Sequence, residues 1–174
     1  MKQLTLIRHA KSNHDQPLLR DIDRPLSPRG AADAPLIARY LREMHDFAPD
    51  SLFTSPALRA LTTAKIVQKE AALTHLSLHE EHRIYEAPVN KLSTVLREFP
   101  DTIQHAVLFG HNPGLENLAN WLCGQRAIYG LRTGGVILLT LDLLSWTEVR
   151  LGCATLLTYF YPAQIGGGKD AHAE

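Results

Sequence analysis

The chain opens on a short, mostly apolar run over residues 3–7, in which Thr5 is the one polar residue after Gln3. A strand with one face in water would alternate, so this run predicts a strand buried on both faces, as in a parallel sheet covered by helices. It stops at Arg8-His9, and residues 10–26 carry turn formers and charges, which reads as a long loop at the strand's C-terminal end. Loops of that length in compact domains are usually functional or disordered. Ser27-Pro28 has the form of an N-cap followed by proline at the first helical position. Behind it Ala31, Ala34, Ile37, Ala38, Leu41 and Met44 recur at helical spacing, which predicts a helix over 28–45.

The alternation then repeats. Residues 50–54 predict a short strand, and Ser55-Pro56 starts a second helix with Leu58, Leu61, Ala64, Ile66 and Val67 inward. Residues 76–78 read as a third strand, 91–98 as a helix and 106–110 as a fourth strand. Asn112-Pro113-Gly114 turns into a helix over 114–123, and 135–141 and 147–151 read as later strands. Strands alternating with helices predict an α/β domain with a mostly parallel sheet. Too few apolar groups follow to order the end of the chain. The expected organisation is one domain over 1–162 and a flexible C-terminal tail over 163–174.

Composition narrows the function classes. A length of 174 residues fits one domain, and an apolar content of 45% is enough for a buried core. Eighteen basic and eighteen acidic residues cancel, so nothing draws the chain as a whole to nucleic acid or to acidic lipid. Any anion binding must come from a local cluster. Cys123 and Cys153 have no metal or redox spacing, no basic-plus-apolar leader opens the sequence, and no apolar run reaches the roughly 18 residues of a membrane span. The expectation is a soluble, cytoplasmic protein.

In open α/β sheets ligands bind beyond the carboxyl ends of the strands. Four unusual groups are predicted at or near such ends: Arg8-His9 after the first strand, Arg59 just after the second, His111 after VLFG, and Arg24 in the long first loop. Guanidinium forks grip phosphate oxygens bidentately and stay charged at any relevant pH. Histidine can attack phosphorus or carry a proton near neutrality. Taken singly, Arg8-His9 reads as a surface ion pair with a loop histidine, and Arg59 as a solvated helix residue. The joint pattern is what points to a tetrahedral anion.

RHAKSNHD with DRPLSPRG, then TSPALRALTTA, then FGHNPGL, in that order, resembles the histidine phosphatase superfamily, which includes the cofactor-dependent phosphoglycerate mutases. The short chain, Ala10 after the histidine, and DRPLSPRG make it more similar to the SixA-type phosphohistidine phosphatases than to the mutases. The resemblance implies a three-layer sandwich and a phosphatase that uses no metal and no cofactor. It implies His9 as the nucleophile, Arg8, Arg59 and His111 as holders of the non-bridging oxygens, and Arg24 as a fourth contact. Neighbouring cations are expected to keep His9 neutral; the charge state of His111 stays open. For the general acid, Glu86 of HRIYEA matches the mutase position. Asp15 falls where mutases carry a phosphate-contacting asparagine, and Asp21 lies three residues before Arg24 and could pair with it.

The implied partner is a phosphorylated protein, its phosphohistidine the substrate. The alternatives are a small phosphate ester and a non-catalytic module that only binds phosphate. About 30 residues separate the second helix from the fourth strand, too few for a large lid, so the site is expected to be open. Other features lead elsewhere. HEEH at 79–82 lacks the spacing of a helical zinc motif, and there is no nucleotide-binding glycine motif. Thr133-Gly134-Gly135 predicts a turn or bulge near the site rim. His14, His45, His75, His105 and His172 have no motif partners and read as exposed or incidental.

Overall fold

In the computed structural model, which describes residues 1–166, the opening run forms β1 (Lys2–Arg8) in the interior of a six-stranded sheet. The elements that follow are α1 (Pro28–Glu43), β2 (Ser51–Thr54), α2 (Leu58–Glu70), β3 (Leu78–Glu80) and α3 (Val89–Arg97). Then come β4 (His105–Gly110), α4 (Gly114–Cys123), β5 (Val136–Leu141), β6 (Ala154–Phe160) and the short α5 (Pro162–Ile165). The strand order is β3-β2-β4-β1-β5-β6. β3, β2, β4 and β1 run parallel, and β5 pairs antiparallel with both β1 and β6. This is the α/β architecture of a mostly parallel central sheet flanked by helices.

The absence of alternation in β1 has the expected cause. Leu4 and Leu6 enter a core formed with α3 and α4, through Leu92, Leu96, Leu115 and Leu118. Ile7 faces the other way into a second core with α1 and α2, through Ile37, Leu41, Ala64 and Val67. Both layers bury leucine-sized side chains fully, each contributing about 1.5–3 kcal/mol. The segment between α2 and β4 is taken up by β3, a short turn and α3, the last packed on α4 and on the core. Among the described residues no helix is long and apolar enough to cross a membrane.

Three expectations need correction. Residues 147–151 are not a strand: Ser145 and Glu148 cap a single 3₁₀ turn that aims Trp146 inward. The final strand is β6 instead, and its pairing with β5 carries a bulge between Leu138 and Leu139 that leaves Leu157 out of register. A bulge breaks the period-2 signal, which hid this strand from pattern reading. Second, α2 begins at Leu58 rather than at Pro56, with Ser55 held elsewhere. Third, α5 runs past the boundary expected at 162, and its Ile165 packs on the α1 layer. The remainder of the expected tail, with His172, lies outside the described residues.

The long first loop is stitched to itself. The Asn13 N–H donates to the Pro25 carbonyl (2.8 Å), and the Ser27 N–H to that of Lys11 (2.9 Å). Ser27 caps α1 as expected, its Oγ accepting from the Gly30 N–H at 3.1 Å.

Candidate active site

Strand register sets the geometry. Arg8 pairs with Gly110 and Thr54 with Phe109, so His9, Ser55 and His111 leave their three parallel strands at nearly the same level. The His9 N–H donates to the Gly110 carbonyl (3.0 Å), and the two imidazole centroids stand 5.4 Å apart. The Gly134 N–H donates to the His9 carbonyl, and Gly134 adopts φ +69°, where a side chain is strained. That is the turn expected at residues 133–135, and Thr133 reaches the site.

His9 is buried, and its Nδ1 lies 2.7 Å from the Ala10 carbonyl. A carbonyl only accepts, so Nδ1 carries the hydrogen and Nε2 the lone pair. Burial, and then Arg59, Arg8 and Arg24, lower its pKa to about 4, against a weaker opposing pull from the Ala10 bond. Neighbouring cations act in the expected direction, yet burial is the larger cause. His111 is lowered further, to about 3, by burial first and then by His9 and Arg59. Both rings are therefore neutral at pH 7.

Ser55 Oγ accepts from the Ala57 N–H (3.2 Å) and meets His111 Nε2 at 2.7 Å. In the arrangement that satisfies both groups, its hydroxyl donates to Nε2 and the ring hydrogen sits on Nδ1. That Nδ1 is buried and has no hydrogen-bond partner among the described residues. Arg59 repeats the pattern. It is 4% exposed, and its Nη1 and Nη2 donate to the Asp21 carbonyl (2.7 Å) and carboxylate (2.9 Å). Its Nε is buried and unpartnered among the described residues. Buried donors without acceptors are rare, and two of them stand together here.

Asp21 is the hub of the surrounding network. Its carboxylate accepts from Arg24 Nε (3.1 Å), Arg59 Nη2 and the Tyr85 hydroxyl. Burial pushes this carboxyl up, but the Tyr85, Arg59 and Arg24 bonds outweigh it and hold the group well below the usual carboxylate range. Arg24 also donates to Ser12 Oγ (2.6 Å) and stands 3.1 Å from a ring nitrogen of His14. Arg8 Nη1 donates to the Leu131 carbonyl (2.8 Å), which Asn112 also engages. Tyr85 meets the His111 ring edge-on at 5.4 Å.

A cavity of about 300 Å³ gathers these groups, with Arg8, His9, Arg24, Arg59, Glu86 and His111 in its wall. Six of the eight expected site residues thus converge. Glu86 stands at the rim, exposed, with φ +50°. Asp21 is not in the wall and is locked as an ionised grip on Arg59 and Arg24. Asp15 lies exposed in the first loop, its N–H donating to Asn13 Oδ1, and it is not among the described residues that line the cavity.

Sequence reasoning missed Ser55, since Ser55-Pro56 reads simply as the start of a helix, and Tyr85, whose one signal was adjacency to Glu86. His14 is not incidental, since it lines the cavity mouth. Nor is His105 exposed: it is buried against Thr5 Oγ1 at 2.8 Å. In HEEH, Glu81 pairs with Arg83 at 2.9 Å.

Residues 4–110 match the model of the histidine phosphatase superfamily (branch 1). An uncharacterised chloroplastic protein of Arabidopsis thaliana is 32% identical over 156 residues, covering 84% of this chain and 70% of that protein. Among solved structures, the protein histidine phosphatase SixA complexed with tungstate superposes with a TM-score of 0.78 at 22% identity, covering 93% of this chain and 98% of that one. A mycobacterial glucosyl-3-phosphoglycerate phosphatase superposes at 0.64 with 15% identity, covering 90% and 97%.

Proposed function

The chain belongs to the histidine phosphatase superfamily, and from that premise we propose that it is a metal-independent phosphatase that passes the phosphoryl group through His9. The observation that carries the reading is the convergence on one cavity of a neutral His9, three guanidinium groups and two buried donors without partners among the described residues, Arg59 Nε and His111 Nδ1.

His9 Nε2 attacks phosphorus in line with the leaving group, and the P–X bond breaks as the N–P bond forms. Arg8, Arg24 and Arg59 neutralise the oxygens as charge spreads over them in the transition state, and the neutral His111 ring adds a hydrogen bond from Nδ1–H. Water then attacks the phosphohistidine, releasing phosphate and restoring the Nε2 lone pair. The strand supplies positioning, which is most of what phosphoryl transfer asks of a protein. Of the three acid candidates, Asp21 is held ionised and Asp15 is outside the wall. Glu86 is the group placed to give a proton to an alkoxide leaving group and to take one from the attacking water.

The substrate is phosphohistidine on a phosphotransfer or signalling protein. In support, α2 to β4 holds no inserted lid, so a protein-borne phosphate has access. Glu86 at the rim favours a second reading, a small phosphate ester. Purified protein should hydrolyse an aryl phosphate in the presence of chelator, and His9→Ala should lose at least about 10³-fold in rate. Substantial residual turnover in that variant overturns the assignment. Relative kcat/KM on a phosphorylated phosphotransfer domain and on a set of metabolite esters separates the two substrate readings.

A further inference from the structure

Arg8 donates to a backbone carbonyl, and that carbonyl is itself held by side chains from two other elements. Residues 130–132 lie between α4 and β5, and their polar backbone atoms are taken up one by one. Glu116, in the first turn of α4, accepts from the Gly130 N–H at Oε1 (2.8 Å) and from the Leu131 N–H at Oε2 (3.0 Å). From β6 the Tyr159 hydroxyl donates to the Gly130 carbonyl (3.2 Å) and accepts from the Arg132 N–H (3.1 Å). The Leu131 carbonyl takes Arg8 Nη1 (2.8 Å) and Asn112 Nδ2 (3.1 Å). We infer that Glu116 is a positioning residue of the reaction: it fixes the backbone whose carbonyl aims Arg8, and through Asn112 it ties that carbonyl to the segment carrying His111. This rests on the phosphatase reading above. Glu116 is not in the cavity wall, so it acts only through these intermediaries.

Packing alone does not set that carbonyl. The Leu131 side chain is buried in the core shared with α3 and α4, which fixes where the residue sits. It leaves open which way the flanking peptides face. Gly130 adopts φ +83°, and a Cβ there would have nothing within 4 Å, so polar bonds hold this turn rather than contacts around Gly130. A carboxylate suits the task. Its two oxygens take two successive N–H groups at once, and bonds to an ionised acceptor are roughly twice as strong as neutral ones. Burial pushes the Glu116 carboxyl up, but the bonds from Gly130, Leu131 and Asn112 outweigh it and hold the group below its ordinary range.

Asn112 is fixed at both ends of its amide. Its Oδ1 accepts from the Glu116 N–H at 3.3 Å, and its Nδ2 donates to Glu116 Oε2 at 3.1 Å as well as to the Leu131 carbonyl. Arg8 ends β1, and Asn112 follows His111 just beyond β4, the strand paired with β1. One carbonyl oxygen therefore gathers the site segments of two neighbouring strands. A guanidinium fork meets phosphate oxygens only in its own plane, and a misplacement of about 1 Å can cost on the order of 10²-fold in rate.

The test is a double-mutant cycle read in kcat/KM on 4-nitrophenyl phosphate and in the Kd of inorganic phosphate. Glu116→Gln keeps the size of the side chain and removes its charge. Tyr159→Phe removes the hydroxyl of the other anchor and reaches the same carbonyl without touching Glu116. Each should lower kcat/KM roughly tenfold in the native background. In an Arg8→Ala background each should cost less than about twofold, because an arginine that is gone cannot be misaimed. A merely structural role would give equal losses in both backgrounds; that result, or native kinetics in both single variants, overturns the inference and leaves the phosphatase reading standing. If the native protein binds phosphate but hydrolyses no aryl phosphate, the phosphatase reading falls, and the same cycle read in phosphate Kd decides whether Glu116 positions Arg8. Protein that neither binds nor hydrolyses overturns both.

Discussion

Asp21→Asn isolates the charge at the hub of the site while keeping its size and one acceptor oxygen. In the native protein the carboxylate takes charge-assisted bonds from Arg59 at 2.9 Å and Arg24 at 3.1 Å. A hydrogen bond between charged groups contributes about twice as much as a neutral one, so each conversion removes about 1 kcal/mol. The Asp21 side chain is 44% exposed, and solvent screening reduces the sum to about 1–2 kcal/mol. For a chain of this length that corresponds to a fall of about 3–6 °C in Tm. The backbone bond from Arg59 to the Asp21 carbonyl survives, so the guanidinium is loosened rather than released. A fall of about tenfold in kcat/KM on an aryl phosphate is expected, equivalent to about 1.4 kcal/mol of transition-state stabilisation. The pH dependence supplies an internal control. The folded pKa of Asp21 lies below its unfolded value near 3.9, so its contribution is complete above about pH 4 and drains away as pH falls further. Thermal melts of both proteins across pH 2.5–7.5 should therefore show a gap in Tm that is constant near neutrality and shrinks below pH 4. A variant with native Tm and native kcat/KM, or a gap that persists undiminished at the lowest pH, refutes the reasoning.

Three further outcomes are expected. NMR titration of the imidazoles should give midpoints near 4 for His9 and near 3 for His111. Because both lie below the unfolded value of about 6.5, these groups cause stability to fall as pH drops through that window; a midpoint near 6.5 for either ring contradicts the burial argument. Ser55→Ala should lower kcat/KM by roughly tenfold or more and destabilise by about 1–3 kcal/mol in a melt, since it frees the tautomer of His111 and leaves the buried Ala57 N–H and His111 Nε2 without their partner, and unchanged kinetics would show that Ser55 does not orient that ring. Gly114→Ala forces a Cβ against the Ala87 carbonyl and should destabilise by about 1–3 kcal/mol in a melt; a native Tm would mean the two backbones are free to part.

Much of the candidate site was legible along the chain because its parts are tied to backbone events that leave a local trace. Arg8-His9 and His111 each end an apolar run, and Arg59 follows the end of another, so strand termini predicted from hydrophobicity brought the main groups to one edge of the sheet. β6 was not legible, since its bulge disrupts the alternation that marks a strand. Ser55 was misassigned because serine before proline has the same local appearance whether it caps a helix or holds a histidine 56 residues away. Tyr85 carried only its adjacency to Glu86 as a signal and His14 carried none, for their roles depend on contacts with Asp21 and Arg24 that only folding creates.

By itself the sequence determined the alternation of strands and helices, hence a mostly parallel α/β sheet, and it set Arg8, His9, Arg59 and His111 at or just beyond strand ends. These follow from periodicities and caps acting over a few residues, while the three-layer arrangement and the roles of those groups came from the family resemblance. Tertiary structure decided the protonation and orientation of those groups. Burial of His9 and His111 makes them neutral, Asp21 is fixed as an ionised clamp instead of an acid, and Arg8, Arg24 and Arg59 are gathered in the wall of one cavity. Desolvation and Coulomb interactions depend on distances through space and on the water that packing excludes, and neither is encoded at any single position in the chain.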